Sequence, residues 1–114
     1  MDIGRFRAVL GRRPGMAERL FTDGERAYAA RHADPAPSLA ARFAAKEAVM
    51  KALGVGIGAF RWTDVEVLRL ASGQPTLLVR GAALELASRQ GVGNWLVSLT
   101  HTSSQAEAVV AAMP

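Results

Sequence analysis

Apolar residues open the chain at Ile3, Phe6, Val9 and Leu10, a spacing that predicts a helix over 2–13, weakened at Gly11 and stopped by "RPG" at 13–15. Over 16–31, Met16, Leu20, Ala27 and Tyr28 can share an inward helical face, and "TDGE" at 22–25 reads as a break and re-cap. "HADPAPS" (32–38) has the proline and small polar content of a loop. Ser38 is then placed to cap an alanine-rich helix running from Leu39 to about Leu53 and ended by Gly54.

The period then changes. "GVGIGAF" is a flexible turn, "RWTDVEVLRL" (61–70) alternates and is rich in β-formers, and "ASGQP" (71–75) is a hairpin signal leading into "TLLVRG". "AALELASRQ" (82–90) reads as a helix closed by Gly91. "NWLVSLTHT" (94–102) and "AEAVVAAM" (106–113) read as strands joined by a turn at "SSQ". Antiparallel hairpins with separate helices predict an α+β fold, with helices packed on one face of an antiparallel sheet. No repeat or linker divides the 114 residues, so 1–114 is expected to be one domain.

Composition narrows the chemistry. There is no cysteine, which excludes disulfides, thiolate metal sites and cysteine nucleophiles. No apolar run approaches the ~20 residues of a membrane span and no secretory h-region begins the chain, so no membrane partner and a cytoplasmic location are expected. The net charge of +4 sits mostly in 1–31, where Arg5, Arg7, Arg12, Arg13, Arg19, Arg26 and Arg31 face only Asp2, Glu18, Asp23 and Glu25. Such an element suits an acidic partner, whether nucleic acid, a phosphorylated ligand or an acidic protein, and the sign alone does not choose.

The only two lysines, Lys46 and Lys51, lie in "RFAAKEAVMKALG" (42–54), on either side of Glu47. At 100° per residue, Leu39, Phe43, Met50 and Leu53 form a stripe about 80° wide. Lys46 falls inside it, Arg42 and Glu47 at its edges, and Lys51 one turn beyond Glu47. These charges are expected near the packed side of the helix, where each needs a partner or a ligand. One reading is an ordinary i, i+4 pair of Glu47 with Lys51 while Lys46 snorkels past its apolar neighbours. The other has Glu47 holding a hard cation and the basic groups gripping phosphates, since one carboxylate suffices for magnesium when phosphate and water complete its octahedron.

"RFAAKEAVMKALG" resembles the signature of the holo-acyl-carrier-protein synthase family, the small phosphopantetheinyl transferases. Further stretches match in order: "RPGMAERLFTDGERAY", "LAARFAAKEAVMKALGVGIG", "WTDVEV", "GQPTLLVRG" and "WLVSLTHT". The resemblance implies a transferase that moves the 4′-phosphopantetheine arm of coenzyme A to a serine of apo acyl carrier protein, releasing adenosine 3′,5′-bisphosphate. It further implies magnesium between a carboxylate pair and the coenzyme A pyrophosphate, and a homotrimer with active sites between subunits. By the same resemblance, Glu47 is the metal ligand and Lys51 meets the pyrophosphate or leaving group. Arg42, Lys46, Gly54, Pro75, His101 and Thr102 become candidate coenzyme A contacts. Arg5 and Arg12, which share a face of the first helix, become contacts for an acidic helix of the carrier protein. Read without the resemblance, His101 is rather a core histidine, "GVGIG" a helix stop and turn, and the arginine pair a solvated face.

One element of the family pattern is expected to be missing. Family members begin with a short strand ending in an aspartate that is the second metal ligand, whereas "MDIGRF" aligns just after it. Asp2 is the candidate substitute, although a chain terminus frays. The alternative is a shortened relative that binds carrier protein or coenzyme A without catalysis. Nucleic-acid binding rests on the basic balance alone, with no recognition motif, and is not expected.

Overall fold

A computed structural model describes all 114 residues. Five helices and four strands follow in the order α1 (Ile3–Arg12), α2 (Met16–Leu20), α3 (Asp23–Ala29), α4 (Ala36–Ala52), β1 (Val65–Arg69), β2 (Pro75–Val79), α5 (Gly81–Arg89), β3 (Asn94–His101) and β4 (Ala106–Met113). A single 3-10 turn, Trp62–Asp64, precedes β1, so the extended run expected from residue 61 begins only at Val65.

Local chemistry sets the helix boundaries. The Asp2 carboxylate accepts from the Arg5 N–H and caps α1. The stretch 16–31 divides at Phe21 and Thr22, where Thr22 and Glu25 form the reciprocal capping box expected at "TDGE". α4 starts three residues earlier than expected. Asp34 Oδ1 accepts from the Ala36 N–H at 3.1 Å, and proline is tolerated in the first turn because its missing N–H has no helical acceptor there. Ser38 therefore lies inside the helix, where its Oγ accepts from Arg42 Nη1 at 2.6 Å. Gly54 adopts φ +71° just beyond the helix, and the Val55 N–H returns to the Met50 carbonyl.

The expected single sheet is two antiparallel ladders. β1 pairs with β2, Val65 opposite Val79, and β3 pairs with β4, Asn94 opposite Met113. The N-terminus extends the second ladder: Asp2 bridges Gln105, the Ile3 N–H donates to the Ser104 carbonyl and the Ala106 N–H to the Met1 carbonyl. α4 is the central element, packing on β1, β3, β4, α1 and α3. Its buried side carries Ala40, Ala41 and Ala45, which admit neighbouring backbone closely. One apolar cluster joins Ile3, Phe6, Leu20, Phe21 and Leu39 to the first half of α4; another joins Val49, Met50 and Leu53 to Phe60, Val65 and Ala83. No helix is long and apolar enough to cross a membrane.

Candidate active site

The open side of α4 is narrow. Phe43, Ala44, Glu47 and Ala48 are half-buried and Lys51 is exposed, while Arg42, Ala45, Lys46, Val49 and Met50 are buried. Phe43, Glu47 and Lys51 stand at successive i+4 positions and share one face. Glu47 and Lys51 line an open cleft of about 320 Å³ between α4 and the start of β4, with Met1, Ala106 and Glu107 on its other side. Neither enters an ion pair or a side-chain hydrogen bond, so the simple i, i+4 pair is not formed. An acid and a base one turn apart, both free and both open to a cleft, suit a ligand that carries charge.

Lys46 is placed quite differently, and its expected role as a phosphate contact is corrected. Its side chain is fully buried. The ammonium donates to Glu25 Oε1 at 2.8 Å, to the Trp62 carbonyl at 2.9 Å and to the Val65 carbonyl. Three acceptors match the three N–H donors of an ammonium, leaving none for a phosphate. Burial holds the Lys46 pKa below the ordinary lysine value, and the Glu25 carboxylate opposes that shift. The same geometry explains why this position is lysine in a chain otherwise rich in arginine. A planar guanidinium with five donors would find three partners in this enclosure.

Arg42 is also turned away from Glu47, on another side of the helix. It is buried against Tyr28, with the guanidinium carbon 4.4 Å from the ring centroid, and bonds back to Ser38. Arg31 and Arg69 approach the same ring at 5.6 and 5.7 Å. The three arginines line a recess of about 430 Å³ with Gly73 of the β1–β2 turn, and no acidic side chain lines it. Burial depresses the Arg42 pKa; the Glu25 carboxylate opposes this and Arg69 adds to it. Arg42 Nε is buried without a partner. Pro75, opposite Arg69 in the ladder, stands at the base of that turn.

Asp2 does not join Glu47. Its carboxylate is engaged as the α1 cap, and Met1, not Asp2, borders the cleft. His101 ends β3 opposite Ala106 and is exposed, so it is not a core histidine; Thr102 Oγ1 accepts from the Ser104 and Gln105 N–H groups. Gly54, also exposed, sits at the turn just beyond Lys51. No three His, Asp or Glu side chains converge on the chain, so a closed protein cage for a metal is absent. The unpaired Glu47 carboxylate, with Glu107 across the open cleft, does fit magnesium, which keeps waters and takes substrate phosphates among its ligands.

The largest cavity, about 980 Å³, is a groove between α1, α2 and α4. Phe6, Val9, Met16, Phe43 and Trp62 provide apolar lining, and Arg5, Arg13, Arg19 and Arg61 bring positive charge against the one carboxylate of Glu18. Arg12 is not among the lining residues. Arg13 and Arg19 were not singled out by sequence, although "RRPGMAER" already shows basic residues on both sides of a turn.

The chain as a whole is similar to known proteins. The family model for the 4′-phosphopantetheinyl transferase superfamily matches residues 1–112. Holo-[acyl-carrier-protein] synthase of Streptomyces avermitilis is 50% identical over 111 residues, covering 97% of this chain and 89% of the relative. The crystal structure of the Neisseria meningitidis holo-[acyl-carrier-protein] synthase superposes with a TM-score of 0.89 at 28% identity, over 100% of this chain and 93% of that one. The Helicobacter pylori enzyme, solved in complex with coenzyme A, gives 0.84 at 26% identity, over 99% and 95%. The chain belongs to the 4′-phosphopantetheinyl transferase superfamily.

Proposed function

We propose that this chain is a holo-acyl-carrier-protein synthase, transferring 4′-phosphopantetheine from coenzyme A to a serine of apo acyl carrier protein. The serine hydroxyl gives up its proton to solvent as its oxygen forms a bond to the β-phosphorus of the coenzyme A pyrophosphate. The bond from that phosphorus to the bridging oxygen breaks, and adenosine 3′,5′-bisphosphate leaves with the electron pair. The observation that carries this reading is the unpaired Glu47–Lys51 pair over its cleft, in a chain whose relatives bear that activity in their name.

Such a displacement asks the protein chiefly for positioning and for charge to meet developing charge. Glu47 would hold magnesium together with pyrophosphate oxygens and water. A magnesium ion held by Glu47 would supply Lewis-acid chemistry toward the pyrophosphate. Lys51 supplies a compact, mobile cation for the pyrophosphate or leaving group. Arg31, Arg42 and Arg69 form the second anion-binding surface, with the Pro75 turn as its wall. His101 and Thr102, at the mouth of the β3–β4 turn, remain candidate coenzyme A contacts, as does the Gly54 backbone.

The Glu47 cleft and the arginine recess lie on different sides of α4 and share no lining residue. A coenzyme A touching both sets therefore suits an assembly in which each chain contributes one of them, and the homotrimer is adopted on that ground. The outer face of β3 and β4 supports it: Leu96 is 58% and Val109 71% exposed, with Ala111 directly opposite Leu96. The groove lined by Arg5, Arg13 and Arg19 is assigned to an acidic, partly apolar helix of the carrier protein, with Arg12 adding long-range attraction. Dependence on coenzyme A fits a cytoplasmic location.

Incubation with apo carrier protein, coenzyme A and magnesium is expected to add the phosphopantetheine mass to the carrier serine. A carrier of unchanged mass, under conditions where a related synthase converts it, would reject this function.

A further inference from the structure

The enclosure around Lys46 is a polar strut through the molecule. Glu25 Oε1 takes Lys46 Nζ at 2.8 Å and the Thr22 N–H at 3.1 Å, while Oε2 takes the Val67 N–H at 3.0 Å. Lys46 reaches on to the Trp62 and Val65 carbonyls. Thr22 Oγ1 donates to Glu66 Oε2 at 2.6 Å, and Glu66 is paired with Arg80. α3, α4, β1 and the start of α5 are thus tied at one point, with the donors and acceptors of the Lys46–Glu25 pair in use.

We infer that Lys46 and Glu25 are positioning residues, which fix the rotation of α4 about its axis and with it the aim of Glu47 and Lys51. The inference rests on the site reading given above. Apart from Arg42, the rest of the buried side of α4 is apolar, with Leu39, Val49 and Met50 beside Ala40, Ala41 and Ala45, and apolar burial, being non-directional, defines angle poorly. Directed bonds from one lysine to two backbone carbonyls and a carboxylate define it well. Lys46 is adjacent to Glu47 in sequence, so a roll at one is felt at the other. A 20° roll moves a side-chain tip about 2 Å at the ~5–6 Å radius of a helix with its side chains. A misplacement of about 1 Å can cost roughly 10²-fold in rate.

Two variants test this, each assayed at a temperature where its circular dichroism matches the parent. Glu25→Gln/Lys46→Met removes both charges while keeping an acceptor for Thr22 or Val67. Glu25→Asp keeps the charge but shortens the strut by a methylene. Both are expected to lower kcat about 10- to 100-fold and to weaken Mn²⁺ binding to the enzyme–coenzyme A complex, read by paramagnetic resonance without turnover. A purely structural pair would lower Tm and leave kcat per folded molecule and Mn²⁺ affinity within twofold of the parent, and that result overturns the inference. If the parent complex itself binds no Mn²⁺, or Glu47→Gln keeps full activity, the site reading fails and this inference with it. Unfolding of both variants at every temperature, with Mn²⁺ bound normally by the parent, would count against a positioning role distinct from folding.

Discussion

Lys46 and Glu47 are neighbours on one helix, and the structure treats them in opposite ways. Lys46 points inward to three acceptors and is fully buried, whereas Glu47 points to a cleft and has no partner. A buried ion pair is retained only when its hydrogen bonds are complete, because desolvation of each charge costs several kcal/mol. A half-exposed carboxylate is solvated and can stay unpaired until a ligand arrives. Satisfaction of polar groups, not charge type, separates the part of this motif that builds the fold from the part left free for chemistry.

Substitutions should divide the same way. The largest effect is expected from Lys46→Met, which leaves Glu25 as a buried, uncompensated charge; a loss of about 3–5 kcal/mol is expected in urea denaturation. Lys51→Ala should leave the denaturation midpoint unchanged, because the side chain is exposed and unpaired, while kcat falls about 10²-fold through loss of a charge facing the reacting phosphate. A Lys51 variant that unfolds early but turns over normally would erase the division. Arg19→Glu, at the groove between α1 and α2, should raise KM for carrier protein about tenfold, with the penalty shrinking in salt and KM for coenzyme A unmoved.

The smallest effect is expected at Asp34. The Ala36 N–H, and next to it Arg7, hold its carboxyl below the usual carboxylate range. A depressed pKa stabilises the folded chain above the unfolded value near 3.8, and that contribution is lost as pH falls through the folded pKa. Asp34→Ala should therefore lower Tm slightly at neutral pH, and the difference should vanish in acid.

Much of the fold was legible because its determinants are local. The Thr22–Glu25 capping box, the Gly54 stop and the alternation in β3 lie within a few residues of one another. The start of α4 is not legible in sequence because Asp34 and Ser38 are both good caps, and only the backbone path through Pro35 decides between them. Division of the strands into two ladders depends on long-range geometry that period-two patterns do not encode. Spacing on α4 did place Lys46 among apolar side chains, yet its partner Glu25 is 21 residues away. Residue type, spacing and resemblance all allowed Lys46 to be grouped with Lys51 as a phosphate contact, where the folded chain separates them. The arginine groove was half visible: Arg5 sits on its predicted face, but Arg13 and Arg19 join it only through the turn at Gly15.

The most direct measurement is mass spectrometry of apo carrier protein incubated with coenzyme A, magnesium and either the parent chain or Glu47→Gln, with thermal melts of both. The parent should convert the carrier serine, and the variant should leave it unmodified while melting at the same temperature. Full conversion by Glu47→Gln would contradict the assignment of this carboxylate to the chemistry.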